Sequence, residues 1–184
     1  MFWGAFSRLP RRLTLAAVVA TLIVLLGGVF NTAPAAQPNA TEEIQNLTVC
    51  YALGTDAIGR GNIQQGKDIY RNCFTDNAEI IAIFPNGNTE TRVGTDTWAD
   101  FVYSVFQGNG YTATQHLIGS VNIQVQGNNA TMSSYLHATH KRSETSIDVA
   151  NGTYEDEVVR ENGRWKISRR TLKLITFLNL ASPQ

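Results

Sequence analysis

The sequence predicts an α+β fold, a cone in which a strongly curved, mostly antiparallel sheet is covered on one face by three helices. Three observations lead there. Apolar residues recur at helical spacing near the start of the folded part, at Ile44, Leu47, Tyr51 and Ile58. Beyond Asn77 the pattern turns strand-like, beginning with the β-forming run EIIAIF at residues 79–84. The last third alternates long strand-like stretches with short polar turns, Gly127-Asn128-Asn129, Ser143-Glu144-Thr145 and Glu161-Asn162-Gly163. Strands joined by so few residues must be antiparallel neighbours, and helices gathered ahead of a meander pack on one of its faces.

Element by element, Thr41 followed by Glu42 and Glu43 offers an N-cap and two acids at the positive end of a helix dipole, which sets a helix over about 42–58. Gly59-Arg60-Gly61-Asn62 breaks it. A second helix over about 63–73 carries Ile63, Ile69 and Tyr70, and so short a break lays the two side by side. Strand 79–84 ends at Pro85-Asn86-Gly87-Asn88, a strong turn signal. Arg92-Val93-Gly94 makes a short strand. Thr95 then caps a third helix, whose stripe of Trp98, Phe101, Val102, Val105 and Phe106 packs on the sheet. Strands follow near 112–126, 130–142, 148–161 and 164–178.

Ahead of this domain stands a different kind of segment. Arg8, Arg11 and Arg12, an uncharged run from 13 to 30, and Ala33-Pro34-Ala35 form the basic, apolar and A-x-A parts of a secretory signal. The run also reaches the length that spans a bilayer, so an uncleaved anchor is the alternative, and Arg11-Arg12 fits part of a twin-arginine signal. The expected organisation is a leader at 1–35, a tether at 36–41 and one domain at 42–180, exported to the periplasm or beyond. Membrane contact follows only if the leader is retained. The whole chain carries 15 acidic and 15 basic residues, and loss of the leader arginines leaves 12 basic against 15 acidic, a formal net of −3. Neither balance suits a nucleic-acid binder. With 43% hydrophobic residues the chain has enough apolar material for a packed core.

The two cysteines are too few for a disulfide scaffold, yet their places are informative. Cys50 and Cys73 lie ~12 and ~16 Å from the bend between the first two helices at 1.5 Å per residue, hence nearly level. In an oxidising compartment they can form a disulfide; free buried thiols are the alternative.

The segments YALGTDAIGRGN, TQHLIGSVNI and NGTYEDEVVRENGRWKISRR, with the element order, resemble the SnoaL-like branch of the nuclear-transport-factor-2-like superfamily over about residues 42–178. Scytalone dehydratase and hexachlorocyclohexane dehydrochlorinase are the relatives this resemblance points to. It implies that Asp56 orients His116, which removes a proton from the substrate, and that Arg170 assists a leaving group. A lysine of the dehydrochlorinase is replaced here by Tyr51, which argues against the same halide chemistry. Many relatives pair through the outer sheet face, so the resemblance also implies a homodimer.

The residues themselves support that chemistry to different degrees. Imidazole is a suitable base near neutral pH, and a carboxylate on its far nitrogen fixes the tautomer and stabilises the imidazolium. The bland readings are a solvated Asp56 near a helix end and a His116 that packs in the core with one hydrogen bond. Strand parity runs against Arg170, since Trp165 and Ile167 share it with Arg169. Arg170 faces inward only if the strand bulges or its two faces bury different layers; otherwise it is exposed. Tyr51 and Tyr154 can line an apolar pocket and offer hydroxyls to a substrate oxygen, or simply pack in the core. His137 and His140, three apart in a strand, point to opposite faces and cannot share one ion. His140 sides with Met132, Leu136 and Ala138. No metal and no cofactor is expected.

The function these observations favour is a cofactor-independent lyase or isomerase, dehydratase-like, acting on a small hydrophobic molecule. The alternative is a non-catalytic small-ligand-binding or dimerisation module of the same fold.

Overall fold

The computed structural model describes residues 39–182. The leader and the start of the tether lie outside the described residues. Three helices and six strands follow in chain order: α1 (Ala40–Gly59), α2 (Ile63–Cys73), β1 (Phe74–Ile83), β2 (Thr89–Val93), α3 (Thr95–Gly108), β3 (Ala113–Gln126), β4 (Asn129–Lys141), β5 (Ser146–Glu161) and β6 (Arg164–Ala181). The strands form one curved, unclosed sheet in the order β2-β1-β6-β5-β4-β3. Only the β1–β6 pair is parallel, so the α+β cone expected from the sequence is the observed architecture.

Two caps differ from expectation. Helix α1 begins at Ala40, and the Glu42 amide donates to Asn39 Oδ1 at 2.9 Å, so Asn39 and not Thr41 is the N-cap. The last two residues assigned to the tether are therefore helical. At α3 the cap is Gly94, with φ of 87°. That left-handed conformation suits glycine and turns the chain from β2 directly into the helix, leaving Thr95 as its first helical residue. Strand β1 is also longer than the sequence suggested. It starts at Phe74, immediately after α2, because Phe74 is buried and pairs with Ile167 of β6.

The core lies between the three helices and the concave face of the sheet. Ile44, Tyr51, Ile58, Tyr70, Trp98 and Phe106 pack from the helices against Ile80, Met132, Leu136, Tyr154, Val158 and Ile167. Helices α1 and α2 are joined by the Cys50–Cys73 disulfide, with Cα atoms 5.8 Å apart. Close approach also needs a small residue at Gly54, where an added Cβ would lie 2.6 Å from the Tyr70 ring.

The β5–β6 hairpin explains the arginine parity. Its two-residue turn, Asn162-Gly163, has positive φ at both positions, 52° and 79°, as a type I′ turn demands. Further along, Val158 pairs with Ile167 but Glu157 pairs with Arg169, so Ser168 has no partner. That bulge shifts the inward face from Trp165 and Ile167 to Arg170. Arg170 is fully buried, which corrects the exposed alternative.

Candidate functional site

Asp56 lies near the C-terminal end of α1, and His116 lies on β3, the edge strand beside that helix. Gly59 lets the two elements meet, since an added Cβ there would lie 2.1 Å from Thr114 Oγ1. The Asp56 carboxylate then spans three groups of β3. Its Oδ1 accepts from Thr114 Oγ1 at 2.9 Å and from His116 Nδ1 at 2.7 Å. Its Oδ2 faces the His116 backbone amide at 3.3 Å. A carboxylate only accepts, so Nδ1 carries the proton of a neutral ring and Nε2 is left with a lone pair. Both side chains are sheltered, at 6% exposure for His116 and 14% for Asp56.

Two concavities meet at His116. Outside, a groove of about 580 Å³ is lined by Asp56, Val49, Leu53, Leu117 and Tyr135. Inside the cone, a hollow of about 90 Å³ is lined by His116, His140, Tyr51, Thr55, Tyr154 and a ring of apolar side chains that includes Trp98, Phe101, Phe106, Leu136 and Phe177. The inner hollow is the candidate site: it is apolar, it is lined by aromatic rings, and few polar groups converge on it.

Tyr51 and Tyr154 both reach the hollow. The Tyr51 ring stacks on Tyr70 and stands edge-on to Tyr154, with centroids 5.4 Å away in each case. Thr55 Oγ1 donates to the Tyr51 carbonyl at 2.9 Å and so accepts from the Tyr70 hydroxyl at 2.6 Å. Burial pushes the Tyr70 and Tyr154 hydroxyls well up from the ordinary phenol range, so each stays protonated and able to donate.

Arg170 is placed differently from what the resemblance implied. Its Nε and Nη2 each donate to Asp156 at 2.7 Å in a bidentate pair. The guanidinium lies 4.2 Å from the Tyr51 ring centroid and 4.3 Å from that of Tyr154. Burial works against its charge, but Asp156 outweighs burial and holds its pKa raised. Arg170 is not among the residues that line the hollow, whereas the two tyrosine rings it packs against are. Its geometry is that of a support behind Tyr51 and Tyr154.

Sequence reasoning missed His140 as part of the hollow, having weighed it only as a metal ligand. The signal was present: alternation along β4 put it on the face of Met132, Leu136 and Ala138. It is buried, and its ring stands edge-on to His116 with centroids 5.5 Å apart at 87°. Desolvation, reinforced by the His116 ring, lowers its pKa to about 4. His137 points the other way and is exposed, its Nδ1 donating to Asn151 Oδ1 at 2.8 Å. Among the described residues no cluster of metal-ligating side chains occurs.

Several solved structures share this fold. A scytalone dehydratase-like protein from Novosphingobium aromaticivorans is 21% identical, with a TM-score of 0.58 over 78% of this chain and 91% of that one. Hexachlorocyclohexane dehydrochlorinase from Novosphingobium barchaimii is 19% identical, with a TM-score of 0.62 over 77% and 90%. A cystatin-like-fold protein from Nostoc punctiforme is 17% identical, with a TM-score of 0.56 over 75% and 94%. Among curated proteins no sequence relative matches the chain. The SnoaL-like domain model, however, matches residues 37–171, which include Asp56, His116, Tyr154 and Arg170. The chain therefore belongs to the SnoaL-like family of the nuclear-transport-factor-2-like superfamily.

Proposed function

We infer that this protein is an exported, cofactor-independent lyase or isomerase that removes a proton from a small, largely apolar molecule in the inner hollow. The observation that carries the reading is the 2.7 Å contact between Asp56 Oδ1 and His116 Nδ1, whose imidazole lines that hollow while the carboxylate stands behind it. His116 Nε2 takes a proton from a carbon acidified by a carbonyl or a leaving group. The imidazolium that forms is stabilised by the Asp56 carboxylate. Tyr51 and Tyr154 face the same hollow and would donate hydroxyl protons to the developing oxyanion. Nε2–H then returns its proton to another carbon of the substrate, or to the departing group. Arg170 acts through the two tyrosines, by fixing their rings, and not by touching the substrate.

Support for export comes from the basic and apolar leader and from the disulfide, since such bonds persist in oxidising compartments. A homodimer through the outer sheet face is part of the same reading. Leu117 and Tyr135 stand 55% and 63% exposed on that face and would supply apolar area for such pairing.

The test is His116→Ala, assayed against a panel of small cyclic alcohols, enones and alkyl halides. Loss of general-base catalysis should lower turnover by about 10²- to 10⁴-fold, with the far-UV circular dichroism unchanged. Turnover equal to wild type would eliminate the enzymatic reading. The small volume of the hollow favours one second reading, a binding module. It would be recognised by a ligand that raises the melting temperature and is recovered chemically unchanged after long incubation.

A further inference from the structure

Beside the hollow, a second polar cluster is built around Asp148 of β5. This carboxylate is buried, yet it gathers donors from three separate parts of the chain. Tyr111, in the connection between α3 and β3, donates its hydroxyl to Oδ2 at 2.5 Å. Arg142, just past β4, donates Nε to the same oxygen at 2.8 Å. Asn179, near the end of β6, donates Nδ2 to Oδ1 at 2.6 Å. Burial would raise the pKa of Asp148, but these three hydrogen bonds outweigh burial and leave it lowered.

The cluster reaches the hollow through His140. The Asp148 backbone carbonyl accepts from His140 Nδ1 at 3.4 Å, so Nδ1 carries the proton. The Tyr111 ring lies against the His140 ring with centroids 4.9 Å apart. Phe106 and Phe177 complete the enclosure at 5.3 and 5.8 Å. His140 in turn meets His116 edge-on. The charged or titratable groups around His140 are thus His116 of β3, Asp148 of β5, Asp56 of α1, and the Tyr111–Arg142 pair that Asp148 holds.

We propose that Asp148 is a positioning residue: by pinning Tyr111, Arg142 and Asn179 it keeps the His140 ring dry and edge-on to His116. The proposal rests on the reading of His116 as the proton acceptor. Two imidazoles this close cannot both be charged at low energy. A desolvated His140 stays neutral, so the one positive charge that the hollow accommodates falls on His116 when it takes the substrate proton. A hydrated His140 would compete for it.

The experiment is ¹⁵N-detected histidine NMR on the full chain without ligand, comparing wild type, Asp148→Asn and Tyr111→Phe across pH. In Asp148→Asn two effects have opposite signs. Removing the carboxylate charge alone lowers the His140 midpoint further, whereas releasing Tyr111 admits water and raises it toward the ordinary imidazole range. The proposal requires the rise, to about 5 or higher, with far-UV circular dichroism retained. A midpoint that stays near wild type or falls overturns it. Should Asp148→Asn fail to fold, Tyr111→Phe, which removes only one hydroxyl, decides between the same two outcomes. Because no substrate is present, this result stands apart from turnover: inactivity of the wild type toward every compound would sink the His116 reading and leave the midpoints to be judged on their own.

Discussion

Reduction of the Cys50–Cys73 disulfide gives a magnitude that follows from chain connectivity. The bridge spans 23 residues of sequence and ties α1 to α2 across the hairpin. In the chain-entropy model, releasing a loop of that size frees conformational entropy of the unfolded chain equivalent to about 3 kcal/mol at 25 °C. For a domain of this size that corresponds to a fall in melting temperature of roughly 10 °C. Reduction leaves both sulfurs in place, so it avoids the cavity that substituting buried Cys73 would open. The assay is urea unfolding monitored by circular dichroism, with and without a thiol reductant, after full unfolding has exposed the bond. The midpoint should fall with little change in its slope relative to the loss of stability. Local effects should appear as well, because Tyr51 and Phe74 follow the two cysteines directly and both rings lie near the Arg170 guanidinium. Tryptophan and tyrosine near-UV signals should weaken before the far-UV signal does. Equal stability of the oxidised and reduced protein would refute the reasoning.

Other perturbations test other parts of the structure. Arg170→Met leaves Asp156 buried without its partner and should destabilise by about 3–5 kcal/mol in urea unfolding, whereas Arg170→Met combined with Asp156→Leu should recover most of that; a single variant within about 1 kcal/mol of wild type would contradict the pairing. Stability should fall as pH drops from about 6.5 to about 4. His140 is neutral when folded, with a pKa of about 4, while the unfolded chain takes up that proton first, so the loss reaches at most about 3 kcal/mol. The lowered pKa of Asp148 acts in the same direction at still lower pH, and stability that is flat over this window would contradict the burial of His140. Gly59→Ala should destabilise by about 1–3 kcal/mol, because its Cβ meets Thr114 and must push α1 off β3. Unaltered melting of that variant would show that the helix end has room to move.

Much of the fold was legible because its signals are local. Apolar spacing marked the helices, and Gly127, Ser143-Glu144-Thr145 and Asn162-Gly163 marked turns that the sheet uses. The β5–β6 register followed from the Asn162-Gly163 turn, but the bulge at Ser168 did not: nothing in the residue types there departs from ordinary strand composition. The bulge exists because both Ile167 and Arg170 find buried partners in the assembled sheet, in the core and at Asp156. That is a tertiary fact. The place of Arg170 was therefore open until the strands were paired. His140 illustrates the opposite case. Its face was readable by alternation, while its meaning depended on Tyr111 and Asp148, which are 29 and 8 residues away in sequence. Thr41 followed by Glu42 and Glu43 carries a helix-start signal of its own, yet the helix begins at Ala40 and Asn39, a stronger cap former, caps it.

Asp56 and His116 act as one unit in the proposed chemistry, and a double-mutant cycle on turnover tests this most directly. His116→Ala, Asp56→Asn and the double variant would be assayed with the substrate found for wild type. Residues that share one catalytic function lose it once, so the double variant should be about as slow as His116→Ala alone. Losses that multiply, or wild-type turnover in Asp56→Asn, would mean that the carboxylate does not work through the imidazole.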